Sequence, residues 1–167
     1  MSSSKRIAKE FAKCSANAPA GMTIEMPYPD DMSIWHITLK GPAATIYAKG
    51  NFGLVVTLPD NYPFKAPVVT FATRIYHPNV TNDSAGNICL AMLKTDNWKP
   101  ALPMTEVLEA VRNLLVEPQP DDPLEARIAD EYRTQREEFD KQALAYVEKY
   151  AKGAPKFPPR GEAGSKA

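Results

Sequence analysis

Apolar residues near the start of the chain recur at the spacing of a helix. Ile7, Phe11 and Cys14 fall on one stripe, and lysines and an arginine occupy the rest of the surface. The segment NAPAG breaks the run. The pattern predicts a short amphipathic helix with a basic outer side.

The next four segments are rich in Val, Ile, Thr and aromatic residues, and turn residues separate them. They are MTIEM, SIWHITLKG, NFGLVVTLP and PVVTFATRIY. Because they follow one another with short links, they predict a four-stranded antiparallel meander.

The hydrophobic period becomes helical in the second half of the chain, after a polar loop that contains Cys89. One face at this spacing predicts a buried central helix across the sheet; it comprises Val107, Leu108, Val111, Leu114 and Leu115. PQPDDP ends this helix, because proline cannot continue its hydrogen bonds. Two C-terminal helices are predicted, from Leu124 to Tyr132 and from a cap at Thr134. The fold class is therefore α+β: an N-terminal helix, a four-stranded antiparallel sheet, a cysteine loop and three helices.

Length and composition limit the organisation and the partners. We expect one domain over residues 1–152, and a disordered tail over residues 153–167, because GAPKFPPRGEAGSKA is rich in Pro, Gly and Lys and lacks periodicity. The 20 basic and 20 acidic residues give no general attraction to nucleic acid or to an anionic membrane. No apolar run approaches the roughly 20 residues that span a bilayer.

The start of the chain bears on the compartment. MSSSKRIAKEF has no apolar region typical of a signal peptide. We therefore expect a cytoplasmic or nuclear protein, in which both cysteines remain free thiols.

The two cysteines have different surroundings. Cys14 lies on the apolar stripe of the first helix, which predicts a small core residue. Cys89 lies in HPNVTNDSAGNICLAML, residues 77–93, where turn-forming polar residues precede a short apolar run. Taken alone, this position fits a buried loop thiol nearly as well as a functional one.

Three kinds of cysteine site place different demands on the neighbouring residues. A hydrolase needs a mobile histidine base, but His36 lies in a predicted strand and His77 is tied to the loop. Zinc needs further ligands, and no CxxC or HxxxH pair exists. A thiol that carries an acyl group needs a polar donor for the oxyanion and a carboxylate for an incoming amine. Asn79 and Asp122 could supply these groups.

The motifs HPN, ICLAML, NWKPAL and PQPDDPL, in this order after YPFKAP, resemble the ubiquitin-conjugating enzymes. The resemblance covers about residues 4–152. It implies that Cys89 accepts ubiquitin from the activating enzyme as a thioester and passes it to a substrate lysine or to a ligase cysteine. It implies no metal or cofactor in the protein itself, since ATP and magnesium are used by the activating enzyme.

The resemblance also assigns roles to residues around the cysteine. Asn79 either supports the oxyanion or holds the active-site loop, and His77 organises that loop. Asp122 positions the attacking lysine. Leu124 contacts the bound donor ubiquitin, although a leucine at the start of a helix is equally often a core residue.

A docking surface for the activating enzyme and for ligases, of RING type or cysteine-relay type, is implied as well. Its residues lie on the first helix and on two loops: Lys5, Arg6, Lys9, Pro63, Phe64, Lys99, Pro100 and Ala101. Phe64 would be an exposed aromatic anchor. For the helix residues a plain solvated face is the alternative, and Trp98 is expected to be structural.

Several features depart from the family pattern or leave alternatives open. Ala91 stands where many members have an acidic residue, and NWKPA and EPQP resemble a branch that transfers only to ligase cysteines. Asp122 resembles the lysine-reactive branch, so direct transfer to lysine is favoured while both acceptors stay open. TNDSAGN looks about two residues longer than the family's compact loops. A carrier of a ubiquitin-like modifier and a non-catalytic scaffold of the same fold are the alternative functions.

Overall fold

A computed structural model describes residues 3–161 of the chain. Its elements are α1 (Ser3–Ala16), β1 (Met22–Glu25), β2 (Ile34–Lys40), β3 (Asn51–Thr57), β4 (Val68–Phe71), α2 (Met104–Val116), α3 (Ala126–Thr134) and α4 (Arg136–Tyr150). A 3₁₀ helix, Ala91–Leu93, follows the cysteine loop. The predicted α+β order is confirmed, although α3 begins two residues later than expected and the N-cap of α4 is Gln135 and not Thr134.

The four strands form one antiparallel sheet in the order β1-β2-β3-β4, as the meander pattern predicts. Trp35 on β2 pairs with Val56 on β3, and Leu54 pairs with Phe71 on β4, so large apolar side chains meet on the inner face. Along β2 fully buried residues alternate with half-buried ones. This alternation is expected for a strand with one face on the core.

The start of α2 is fixed by an acidic residue of α1. The Glu10 carboxylate accepts a hydrogen bond of 2.6 Å from the main-chain N–H of Met104, and it also pairs with Arg6 at 3.2 Å. Glu10 is only 5% exposed. Its charge lies where a helix has unpaired N–H groups and the positive end of its dipole, which compensates for its burial.

The expectation of disorder from Gly153 onward is wrong for residues 153–161, which pack on the outer face of the sheet. Phe157 stacks on His36 of β2, with ring centroids 4.1 Å apart and planes 6° from parallel. Arg160 forms two hydrogen bonds with Asp30, of 3.1 and 2.9 Å. Low periodicity predicts the absence of helix and strand, and residues 153–161 have neither, but it does not predict whether an extended segment packs on a surface. Residues 162–167 of the predicted tail lie outside the described residues.

This packing explains an irregularity in β3. Gly53 and Val55 pair with the half-buried Thr38 and His36 of the outer face, yet both are fully buried. The tail covers them, since Pro155 and Phe157 approach Gly53 closely. Within residues 3–161, none of the helices is both long and apolar enough to cross a membrane.

Candidate active site

The loop that carries Cys89 forms two isolated bridges, from Asn87 to Thr70 on β4 and from Ile88 to Val80. The Cys89 N–H also donates to the main-chain oxygen of the HPN asparagine over 2.9 Å. The backbone that leads to the thiol is therefore fixed by hydrogen bonds.

The tip of this loop, which was expected to be longer than usual, is organised by one carboxylate. Asp83 accepts hydrogen bonds from the Thr81 hydroxyl and the main-chain N–H groups of Ala85 and Gly86. Gly86 has φ of 58°, and a Cβ atom there would lie 2.1 Å from the main-chain oxygen of Phe71. Only glycine fits this turn without moving the sheet edge.

His77 is completely buried beneath the loop. Its Nε2 lies 2.9 Å from the main-chain oxygen of Leu114, and its Nδ1 accepts the main-chain N–H of Asn79 over 2.9 Å. A carbonyl can only accept, so Nε2 carries the proton and the ring is neutral. Burial lowers the pKa of His77 to about 4. With both nitrogens engaged, His77 fits the expected role of loop organiser and not that of a base.

The Asn79 side chain is buried and fully hydrogen-bonded. Its Nδ2 donates to the main-chain oxygens of Gln119 and Asp122, over 2.8 and 3.0 Å, and its Oδ1 accepts the Gln119 N–H over 2.8 Å. Both amide protons are thus engaged by the 118–123 turn. Of the two expected roles, this geometry favours holding the loop, since an oxyanion would have to displace one of these bonds.

Cys89, Asp122 and Lys94 share a single carboxylate oxygen. Asp122 Oδ2 accepts from the Cys89 thiol over 3.5 Å and from Lys94 Nζ over 2.9 Å. The ion pair is well exposed, so water also reaches this cluster. The structure therefore places an ammonium group and a thiol on the same carboxylate.

The electrostatics keep the resting thiol protonated. Burial, and then the Asp122 carboxylate that accepts its hydrogen bond, raise the pKa of Cys89, while Lys94 acts in the opposite direction. The hydrogen bond from Lys94 holds the pKa of Asp122 below its usual value. Cys14 is completely buried as expected, and burial raises its pKa to about 12. Only Cys89 is accessible for chemistry.

The thiol lies in an open cleft of about 320 Å³ between the loop and the middle of α2. Met92, Asn113 and Gln119 contribute to its lining. Leu124 lies just after the acidic turn, and its N–H donates to the main-chain oxygen of Pro78. Its side chain is 42% exposed, so the alternative of a core leucine is not supported.

The residues expected to form the docking surface come from three segments that contact one another. Arg6 on α1 donates to the main-chain oxygen of Pro100 over 2.9 Å, and the indole of Trp98 donates to the main-chain oxygen of Pro63 over 2.7 Å. Phe64 is 78% exposed. Lys5, Lys9, Lys99, Pro100 and Ala101 are also exposed. We call the eight predicted residues on these segments the docking edge.

Sequence reasoning missed three residues of this region. Lys94 stands five positions after Cys89, Gln119 completes the hydrogen bonds of the HPN asparagine, and Glu10 anchors α2. The PQPDDPL motif marked the turn that contains Gln119. Nothing in the sequence distinguished Lys94 or Glu10 from other surface charges.

Comparison with known proteins agrees with these observations. The profile of the family described as "Ubiquitin-conjugating enzyme" matches residues 6–147. The chain is 44% identical over 151 residues to "Ubiquitin-conjugating enzyme E2 14" of Schizosaccharomyces pombe. That alignment covers 90% of this chain and 96% of the relative.

Proposed function

The chain belongs to the ubiquitin-conjugating enzymes, and we propose that Cys89 is the residue on which this transferase carries ubiquitin as a thioester. Membership of the family implies interaction with ubiquitin, with an activating enzyme and with ligases in general. The observation that carries the assignment of Cys89 is its position: a fixed loop thiol at an open cleft, hydrogen-bonded to Asp122.

The charging step is a thiol exchange. Cys89 Sγ attacks the carbonyl of the ubiquitin C-terminal glycine, which arrives as a thioester of the activating enzyme. A new S–C bond forms, the old one breaks, and the Cys89 proton passes to the departing thiolate. Catalysis here needs no metal or nucleotide in the protein, because the acyl group arrives already activated by ATP and magnesium on the activating enzyme.

We further propose direct transfer to a lysine of the substrate. A lysine has a reference pKa of about 10.4, so it arrives as an ammonium ion that must lose a proton before it attacks. Asp122 binds such an ion in the structure, since Lys94 Nζ occupies its Oδ2 beside the thiol. An incoming lysine that replaces Lys94 there would have its nitrogen next to the thioester, with a carboxylate to accept its proton. Expulsion of the Cys89 thiolate then completes the isopeptide bond.

The remaining assignments follow from the same geometry. We propose that Asn79 and His77 act by holding the thiol loop against the 118–123 turn. The exposed Leu124 would contact the donor ubiquitin. The docking edge would receive the activating enzyme and ligases, with Phe64 as its apolar anchor.

Charging on non-reducing gels tests the central assignment. Wild type, Cys89→Ala and Cys14→Ala are incubated with ubiquitin, activating enzyme and ATP. We expect a thiol-sensitive, ubiquitin-sized shift that only Cys89→Ala abolishes. If a shift appears only with a ubiquitin-like modifier and its own activating enzyme, that modifier is the cargo and not ubiquitin. If neither modifier gives a shift, the protein is a non-catalytic scaffold of the same fold.

Single-turnover discharge tests the acceptor. The charged enzyme is mixed with free lysine or with free cysteine, and loss of the thioester is followed over time. We expect discharge to both, with Asp122→Asn slowing only the reaction with lysine. Discharge to cysteine alone would show that the acceptor is a ligase thiol.

A further inference from the structure

The outer face of the sheet carries a groove that a segment of the chain itself covers. Its residues on the sheet side are Tyr28, Ile34, His36, Val55 and Thr57, and residues 158–161 line it as well. We call it the sheet groove. It lies apart from the docking edge and from the thiol cleft, because none of its residues belongs to either.

An aromatic anchor holds the segment at one end. Phe157 stacks face to face on His36 at 4.1 Å. Gly53 leaves room for this arrangement, because a Cβ atom on Gly53 would lie 3.0 Å from Pro155 and 3.1 Å from the Phe157 ring. Gly53 lies beneath the Phe157 ring and has no side chain, so the ring occupies the space that a side chain would take.

A cationic anchor holds the segment three residues later. Arg160 donates to both carboxylate oxygens of Asp30, lies 3.7 Å from Asp31 and stands 4.6 Å above the ring of Tyr28. Two carboxylates and an aromatic face make a matched receptor for a guanidinium group. Pro158 and Pro159 separate the two anchors and favour an extended backbone between them.

The closed arrangement is reversible on physical grounds. The Arg160 and Asp30 side chains are 44% and 71% exposed, and exposed ion pairs contribute little to stability. The segment also has neither helix nor strand hydrogen bonds. The segment is a tethered ligand, and its high local concentration favours the closed arrangement.

We propose that the sheet groove is a docking site for an extended segment of a partner protein in which an aromatic residue stands three positions before an arginine, and that residues 155–161 occupy this site in cis. The partner chemistry follows from the receptor: a ring for His36 and Gly53, and a guanidinium for Asp30, Asp31 and Tyr28. A partner gains access by outcompeting the tail. The proposal does not depend on the transferase function.

Binding of a synthetic peptide to the full chain tests it. The probe is a fluorescein-labelled peptide with the sequence of residues 154–161, APKFPPRG, measured by fluorescence anisotropy. The groove is opened in the full chain by Phe157→Ala combined with Arg160→Glu. Lys156→Glu is the matched control, because it makes the same charge change at an exposed tail residue and leaves both anchors in place.

We expect the opened enzyme to bind the peptide saturably. Wild type and Lys156→Glu should bind it at least tenfold more weakly, because a short tether supplies an effective concentration of about 1 mM that the free peptide must overcome. Adding Asp30→Ala to the opened enzyme should weaken binding, as should replacing the phenylalanine of the peptide by alanine.

Three results would overturn the proposal: no saturable binding to the opened enzyme, equal binding to wild type and opened enzyme, or binding that is unchanged by Asp30→Ala. Circular dichroism of each variant verifies that it is folded. Ubiquitin charging is a separate readout, so failure of the thioester assignment and failure of the groove proposal are distinguishable.

Discussion

The side-chain amide of Asn79 donates a hydrogen bond to the main-chain oxygen of Asp122 over 3.0 Å. The asparagine of the HPN motif thereby fixes the residue whose carboxylate meets the thiol. The main-chain oxygen of the same asparagine accepts the N–H of Cys89. One residue thus sets the relative position of nucleophile and carboxylate.

Asn79→Ala is expected to destabilise the protein as well as slow the transfer. The substitution removes three partly buried hydrogen bonds, and each unpaired group costs about 1 kcal/mol, so we expect a loss of about 3 kcal/mol in the free energy of unfolding. Urea unfolding measures it, and amide exchange of Gln119, whose N–H is bonded to Asn79 Oδ1, should accelerate. Unchanged stability with slowed transfer would instead assign Asn79 to the oxyanion.

Asp122 and Lys94 should change the reactivity of the thiol in opposite directions. Asp122→Asn removes a charge that raises the pKa of Cys89, so alkylation by iodoacetamide at pH 8 should become several-fold faster. Lys94→Gln should make it slower, because Lys94 lowers the same pKa. The rate as a function of pH gives the pKa directly. Equal profiles for all three proteins would show that the carboxylate does not contact the thiol in solution.

Substitutions of Asp122 and of Lys94 should also have opposite effects on the rate of transfer to lysine. Lys94→Gln vacates the carboxylate, so discharge to free lysine should be faster than in wild type, while Asp122→Asn should slow it about tenfold or more. Discharge to free cysteine is the internal reference for both variants. If Lys94→Gln slowed the lysine reaction, the ammonium of Lys94 would be assisting transfer and not occupying the acceptor position.

The buried His77 predicts a loss of stability in weak acid. Its pKa is lowered by burial to about 4, against an ordinary value of 6.5, so the unfolded chain binds a proton between these values that the folded chain does not. The contribution of His77 is complete above pH 6.5 and declines as the pH falls toward 4, by about 3 kcal/mol in total. An NMR titration of the His77 ring checks the cause, and a midpoint near 6.5 would contradict it.

Phe64 should matter to ligases and not to folding. The side chain is largely exposed, so Phe64→Ala should leave the melting temperature unchanged while lowering ligase-stimulated discharge about tenfold. Leu144→Ala on α4 is the matched control, since Leu144 is an exposed leucine away from the docking edge. An equal effect of both substitutions would remove Phe64 from the interface.

Periodicity predicted the fold because its signals are local. The stripe of Ile7 and Cys14, the alternation in β2 and the apolar face of α2 each report burial on one side of one element. Because the links between the strands are short, few strand orders were possible. The proximity of Cys89 and Asp122 could be predicted only from the order of the motifs, because that order resembles the family.

Contacts between distant exposed residues could not be predicted in this way. Lys94 meets Asp122 and Arg160 meets Asp30 only after folding, and a charged residue has the same local pattern whether it is solvated or paired. The tail shows this limit most clearly. Its composition indicates low helix and strand propensity, but docking depends on Gly53 and His36, about a hundred positions earlier in the chain.

The contrast between Cys14 and Cys89 has a practical consequence. Since Cys14 is sealed in the core and resists ionisation, a thiol reagent should count one equivalent on the native protein and two after denaturation. The rate at which Cys14 reacts then measures global unfolding, and no engineered label is needed. Because ubiquitin would cap the first thiol, the same count would distinguish loaded, empty and unfolded molecules in one mixture.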